Sequence, residues 1–288
     1  MITEIKNLLG ITDIAELSLV ITIFTFIAGY LLNRVYDHWK EIRRLKDINE
    51  YIMFSVKRIY KPLKSQIAHV EDLINQLKEE KSRDYIFAYH DNLNTNLFDD
   101  IKNYDFYKAF IYRRFFQFHC FTKRYIKIYS SLSRTIREIK STHESNHRIF
   151  NEFVSKYINS NEELRLHTGK IEELYWAFRN ENKRISIKQD QFLVEFDKIM
   201  HKIGSEQITD SYEREKLMMQ PLINLYRDFE GDERSLLIFD YAKKCGYALK
   251  DIDKTRGIYL NLFNKQLITL KNCEKILLFL TRAKCLNS

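Results

Sequence analysis

The chain has 288 residues, of which 45% are apolar and 14% aromatic, so it can build a core and is not a disordered tail. Only seven glycines and two prolines are present, whereas multi-stranded sheets draw a turn from such residues every few positions, so sandwiches, barrels and doubly wound sheets are excluded in favour of an all-α fold. The net charge of +8, from 47 basic and 39 acidic residues spread along the chain, suits solubility as well as an anionic partner. Cys120, Cys245, Cys273 and Cys285 form no C-x-x-C pair, which removes zinc-finger and thioredoxin-like readings.

Residues 1–13 carry Lys6 against Glu4 and Asp13, which is no positive leader region, and no small-x-small cleavage site follows the next segment. They are expected to form a short tail outside the cytoplasm. From Leu17 to Leu32 no charge occurs for 16 residues, and residues 14–33 are predicted to be a single transmembrane helix. A buried core helix is the competing reading. Arg34, Lys40, Arg43, Arg44 and Lys46 follow directly, so the positive-inside rule places the amino terminus outside the inner membrane and the remainder in the cytoplasm. Ser18, Thr22, Thr25 and Gly29 recur at steps of four, three and four, which lines small residues on one helix face and points to self-association. Hydroxyls satisfied by their own i−4 carbonyls would explain the same residues without a partner.

Residues 34–82 are predicted to be a helical stalk. Leu45, Ile48, Ile52, Val56, Ile59, Leu63, Ile67, Val70, Ile74 and Leu77 follow at steps of three and four, a stripe compatible with a coiled coil or with packing on later helices. Pro62 is expected to bend or restart the helix by removing a donor to the carbonyl of Arg58. Residues 83–105 are rich in Asn and Asp and read as a connector, with 92–96 as its loop.

Residues 106–230 are predicted to form a cytoplasmic helical bundle. Its first helix, 106–139, is strongly aromatic and interleaved with Arg113, Arg114, Lys123, Arg124 and Lys127, a surface suited to anionic lipid or nucleic acid if it is not simply packed. Lipid is favoured by a position next to the membrane. Further helices are expected at 148–158, 162–178, 192–203 and 213–229, the last divided by Pro221. Residues 231–288 are predicted to hold three short helices separated at Gly246 and near Gly257 or Thr269.

His143, Glu144 and His147 match H-E-x-x-H, which on a helix puts two imidazoles on one face for zinc and a glutamate beside the bound water. Ser141, Thr142, Ser145 and Asn146 around it read instead as a turn and helix cap. Glu162, Glu163, Glu172 and Glu173 are the candidate third ligands. Zinc is the one cofactor signalled, as nucleotide loops, nucleophile elbows and calcium loops are absent from the sequence.

The string Phe115, Phe116, Gln117, Phe118 and His119 behind a membrane anchor resembles bacterial membrane-anchored phage abortive-infection proteins over residues 14–157. The resemblance implies a role in defence at the inner membrane and transfers no catalytic residue. The expected function is a membrane-anchored scaffold, sensor or effector acting through assembly, with a tethered zinc peptidase and a nucleic-acid or lipid-binding module as alternatives.

Overall fold

A computed structural model describes residues 14–79, 85–88, 93, 98, 101–111, 119–181, 190–205 and 211–282. Every regular element among them is a helix: α1 (Ile14–Lys78), α2 (Asn103–Ile111), α3 (His119–Glu181), α4 (Gln191–Ser205), α5 (Ser211–Asp228) and α6 (Glu233–Arg282). The chain forms two compact units. The first draws on α1 through Arg58, α2, α3 through Arg134 and the end of α6 from Phe279; the second takes α1 from Ile59, α3 from Thr135, α4, α5 and α6 through Leu278.

In the first unit, Leu45, Ile52, Met53 and Val56 of α1 are buried with Phe106 and Ala109 of α2 and Leu132 of α3. The ring of Phe106 lies 5.1 Å from that of Tyr129, whose hydroxyl donates to the carbonyl of Asn103. An ion cluster fixes α2 on α1: Arg44 donates to Asp105 at 2.9 Å and to Glu41 at 3.0 Å, and Lys108 stands 3.5 Å from Glu41.

In the second unit α3 and α6 run antiparallel. Cys273 lies beside Thr135, Gln266 donates to Ser145 at 3.3 Å, the rings of Phe153 and Tyr259 are 5.4 Å apart, and Thr168 meets Cys245. α1 also opposes α6, through Lys271 to Glu71 at 2.5 Å and Arg256 to the Glu79 carbonyl at 2.5 Å. The apolar stripe of α1 predicted from the sequence is buried from Leu45 to Leu77 except at Ile48, so the chain's own helices cover it. Tyr85 and Phe87 pack on Phe153 and Phe150 respectively, at 4.9 and 5.3 Å. Residue Leu93 of the expected 92–96 loop is buried; the rest of that loop lies outside the described residues.

Several expected breaks are absent. α1 runs through Pro62 and α5 through Pro221 without restarting. Each proline orphans the carbonyl four residues back, at Arg58 and Leu217, and both residues are exposed, so water can take the lost bond. The latter part of the helix expected at 106–139 and the helices expected at 148–158 and 162–178 are one 63-residue helix, α3. Residues 112–118, the middle of the expected first helix, lie outside the described residues. Likewise α6 is a single 50-residue helix rather than three. Its buried residues Ile238, Ala242, Cys245, Leu249, Ile252, Arg256, Tyr259 and Phe263 alternate steps of four and three, and Gly246 and Gly257 fall off that stripe. A helical glycine costs about 1 kcal/mol, which the burial of that stripe outweighs.

Candidate functional site

The most distinctive feature is the start of α1. An 18-residue stretch there has mean hydropathy 1.6 and none of it is buried. Leu19, Phe24, Phe26, Leu31 and Leu32 all stand exposed, which water would penalise and a bilayer rewards. The span ends in an aromatic and basic collar that the sequence reading passed over: Tyr30, Tyr36 and Trp39 are exposed, and Arg34 donates to the Tyr30 hydroxyl at 3.0 Å. The signal was present as Tyr and Trp at the edge of an apolar run, the composition of a membrane interface.

On the small-residue face, Thr22 donates to the Ser18 carbonyl and Thr25 to the Ile21 carbonyl, each at 2.8 Å. Both hydroxyl protons are therefore spent inside the helix. At Gly29 nothing lies within 4 Å of where a Cβ would sit, so that position is an open notch. Ser18 is exposed too.

The H-E-x-x-H string does lie on a helix, but in the middle of α3 and not at the turn expected of its polar neighbours. Asn, Ser and Thr cost only tenths of a kcal/mol, up to about 0.7, in a helix interior. Buried Thr142, His143, Asn146 and Ile149 carry the helix through. His143 is 9% exposed, whereas His147 is at the surface, its Nδ1 3.3 Å from Asn151, and Glu144 is exposed. The two imidazoles thus face different surroundings. Glu162, the nearest proposed third ligand, is 15 residues further along the same continuous helix, about 22 Å at 1.5 Å per residue. No group of three His, Cys, Asp or Glu among the described residues is placed to hold a metal.

Of the predicted basic and aromatic surface, Arg113 and Arg114 lie outside the described residues, as do Phe115 to Phe118. Lys123 and Arg124 fall within α3, and their side chains are likewise outside what is described; Lys127 is exposed.

A second polar cluster sits inside the second unit. Thr168 on α3 donates to Glu215 on α5 and stands 3.7 Å from the Cys245 sulfur on α6, while Arg214 holds Glu215 at 2.8 Å. Burial pushes the Cys245 thiol up to about 11, so it stays protonated and unreactive at neutral pH. The cluster joins three helices through a buried carboxylate. Its members are 47 and 77 residues from Thr168, a separation that leaves no local signal in the sequence.

These features define a membrane-anchored all-helical protein whose described residues hold one apolar helix long enough to span a membrane, near the amino terminus. No protein-family model, curated protein or solved structure matches the chain.

Proposed function

We propose that the protein is a single-pass inner-membrane scaffold or effector that acts by assembly, its short amino-terminal tail outside and its helical units in the cytoplasm. The observation that carries this reading is the uncovered start of α1, apolar and exposed all round, with an open notch at Gly29 on its small-residue face. Such a face lets two transmembrane helices approach backbone to backbone. The Arg34 to Lys46 cluster supports the orientation, because cations after a span are retained on the cytoplasmic side. The resemblance of the 115–119 string supports phage defence as the process served.

The test is the mass of the full chain in mild detergent together with disulfide-free crosslinking in native membranes. A dimer or larger assembly is expected for the wild type. Gly29→Ile fills the notch and is expected to raise the dissociation constant at least ten-fold. Thr22→Val, which removes a hydroxyl already spent on Ser18, is expected to stay within three-fold. A monomeric wild type, or indifference to Gly29→Ile, would sink assembly through this helix. The defence role fails if phage plate equally well on cells with and without the protein.

A further inference from the structure

Just past the apolar span, the charges of α1 are sorted by face. Glu41 and Arg44 point at α2 and are consumed there by Lys108 and Asp105. Tyr36, Trp39, Lys40 and Arg43 occupy positions i, i+3, i+4 and i+7, so they share one face, centred about 120° round the helix from the midpoint of Glu41 and Arg44. All four are exposed, and no ion pair holds Lys40 or Arg43 among the described residues.

We infer that this face is a headgroup-binding collar selective for anionic phospholipid, formed by Tyr36, Trp39, Lys40 and Arg43. It rests on the reading of α1 as a membrane span. Three features support it. Trp39 is seven residues beyond Leu32, about 10 Å along the axis, and the headgroup layer is roughly 5–8 Å thick on each side of the hydrocarbon; the backbone of Tyr36 falls within that layer and that of Trp39 a few Å beyond it, within reach of its ring. The Cα–Cβ bonds of a helix tilt toward its amino terminus, which here is the bilayer, so Lys40 and Arg43 lean back toward the lipid phosphates. The aromatic rings offer an apolar body to the acyl boundary and a polar edge to the headgroups. Asp37 is the one acid in this turn, and it lies about 100° round the helix from Tyr36, toward the Glu41 side. Of the acids on the same face, Asp47 lies about 6 Å farther from the bilayer than Arg43 and Glu50 is paired with Lys46, so Lys40 and Arg43 are the charges of this face nearest the lipid, and each such cation near an anionic surface confers about a five-fold preference.

Trp39 and Trp176 are the only tryptophans, so Trp176→Phe makes Trp39 a sole fluorescent reporter in the full chain. The protein is reconstituted with brominated phosphatidylglycerol or brominated phosphatidylcholine at equal mole fraction, and Trp39 quenching is compared. The relative association constant from quenching is expected to favour phosphatidylglycerol at least five-fold. Lys40→Gln with Arg43→Gln is expected to bring that ratio to near one without changing quenching by phosphatidylcholine. A ratio near one before those substitutions, or a ratio that survives them, overturns the collar while leaving the span intact. Absence of quenching by either lipid in protein that floats with the vesicles overturns the collar, and protein that does not float with them overturns the span.

Discussion

Arg234 ties two helix starts together. It donates to Asp190 at 2.6 Å and to Asp232 at 2.6 Å, and its guanidinium lies 4.6 Å from the Phe192 ring centre. Asp190 in turn accepts from the Leu193 amide at the start of α4, and Asp232 from the Arg234 amide at the start of α6. Hydrogen bonding from Arg234 pulls both carboxyls below the usual aspartate value of 3.8, against the opposing effect of partial burial. A carboxyl lowered in the folded state adds stability that is complete above its unfolded value and drains away as pH falls through the folded one. Arg234→Met is therefore expected to cost about 2 kcal/mol at pH 6, and the gap to wild type should narrow as the pH is lowered through and below the usual aspartate range. Denaturant unfolding followed across that range measures it; a gap independent of pH would mean that the clamp acts by packing alone. None of this clamp was legible in the sequence, because Asp190 and Arg234 are 44 residues apart and Asp-x-Arg is an ordinary string.

The element scale shows where sequence reading held and where it failed. The stripe of α1 was legible at every position but Ile48, since its three-and-four spacing survives as a row of buried residues. Helix ends were not. Polar clusters at 141–147 and glycines at 246 and 257 read as stops, because propensity is a local quantity, whereas burial along α3 and α6 is set by partners far away in the chain. The turn read at the H-E-x-x-H string fell with the same error: the string lies on a continuous helix, which carries Glu162, the nearest candidate third ligand, about 22 Å along the axis from His147. Asn146 sits at the centre of that stretch with 0% exposure, and neither side-chain polar atom has a hydrogen-bond partner among the described residues. A buried, unpaired amide is costly, and polar residues in such seams trade stability for register. Asn146→Leu keeps the branched shape and removes the polar atoms, so it is expected to stabilise the chain by about 1–2 kcal/mol. Destabilisation measured by urea unfolding would show that the amide is satisfied by water.

At the scale of the whole molecule, anchoring and folding are supplied by different residues. The exposed run at the start of α1 contributes no buried side chain, while the stripe beginning at Leu45 is covered by helices of the same chain. The uncharged run of 17 residues from Leu17 to Asn33 is near the short limit for a bilayer, about 17–20 residues, so it has little insertion energy to spare. A lysine at the centre of a span costs roughly 2.5–3.5 kcal/mol. Phe24→Lys with Ile27→Lys places two there, about 5–7 kcal/mol in sum, which is enough to cancel the insertion of a span this short. The wild-type chain is expected to stay in the membrane pellet after alkaline carbonate extraction, and the double variant to leave it. Because Phe24 and Ile27 touch no core, the extracted variant should keep its helical circular dichroism and its cooperative unfolding transition. Loss of cooperativity together with loss of the membrane would mean that the lipid environment is part of the fold; retention of the variant in the pellet would mean that another surface binds the membrane.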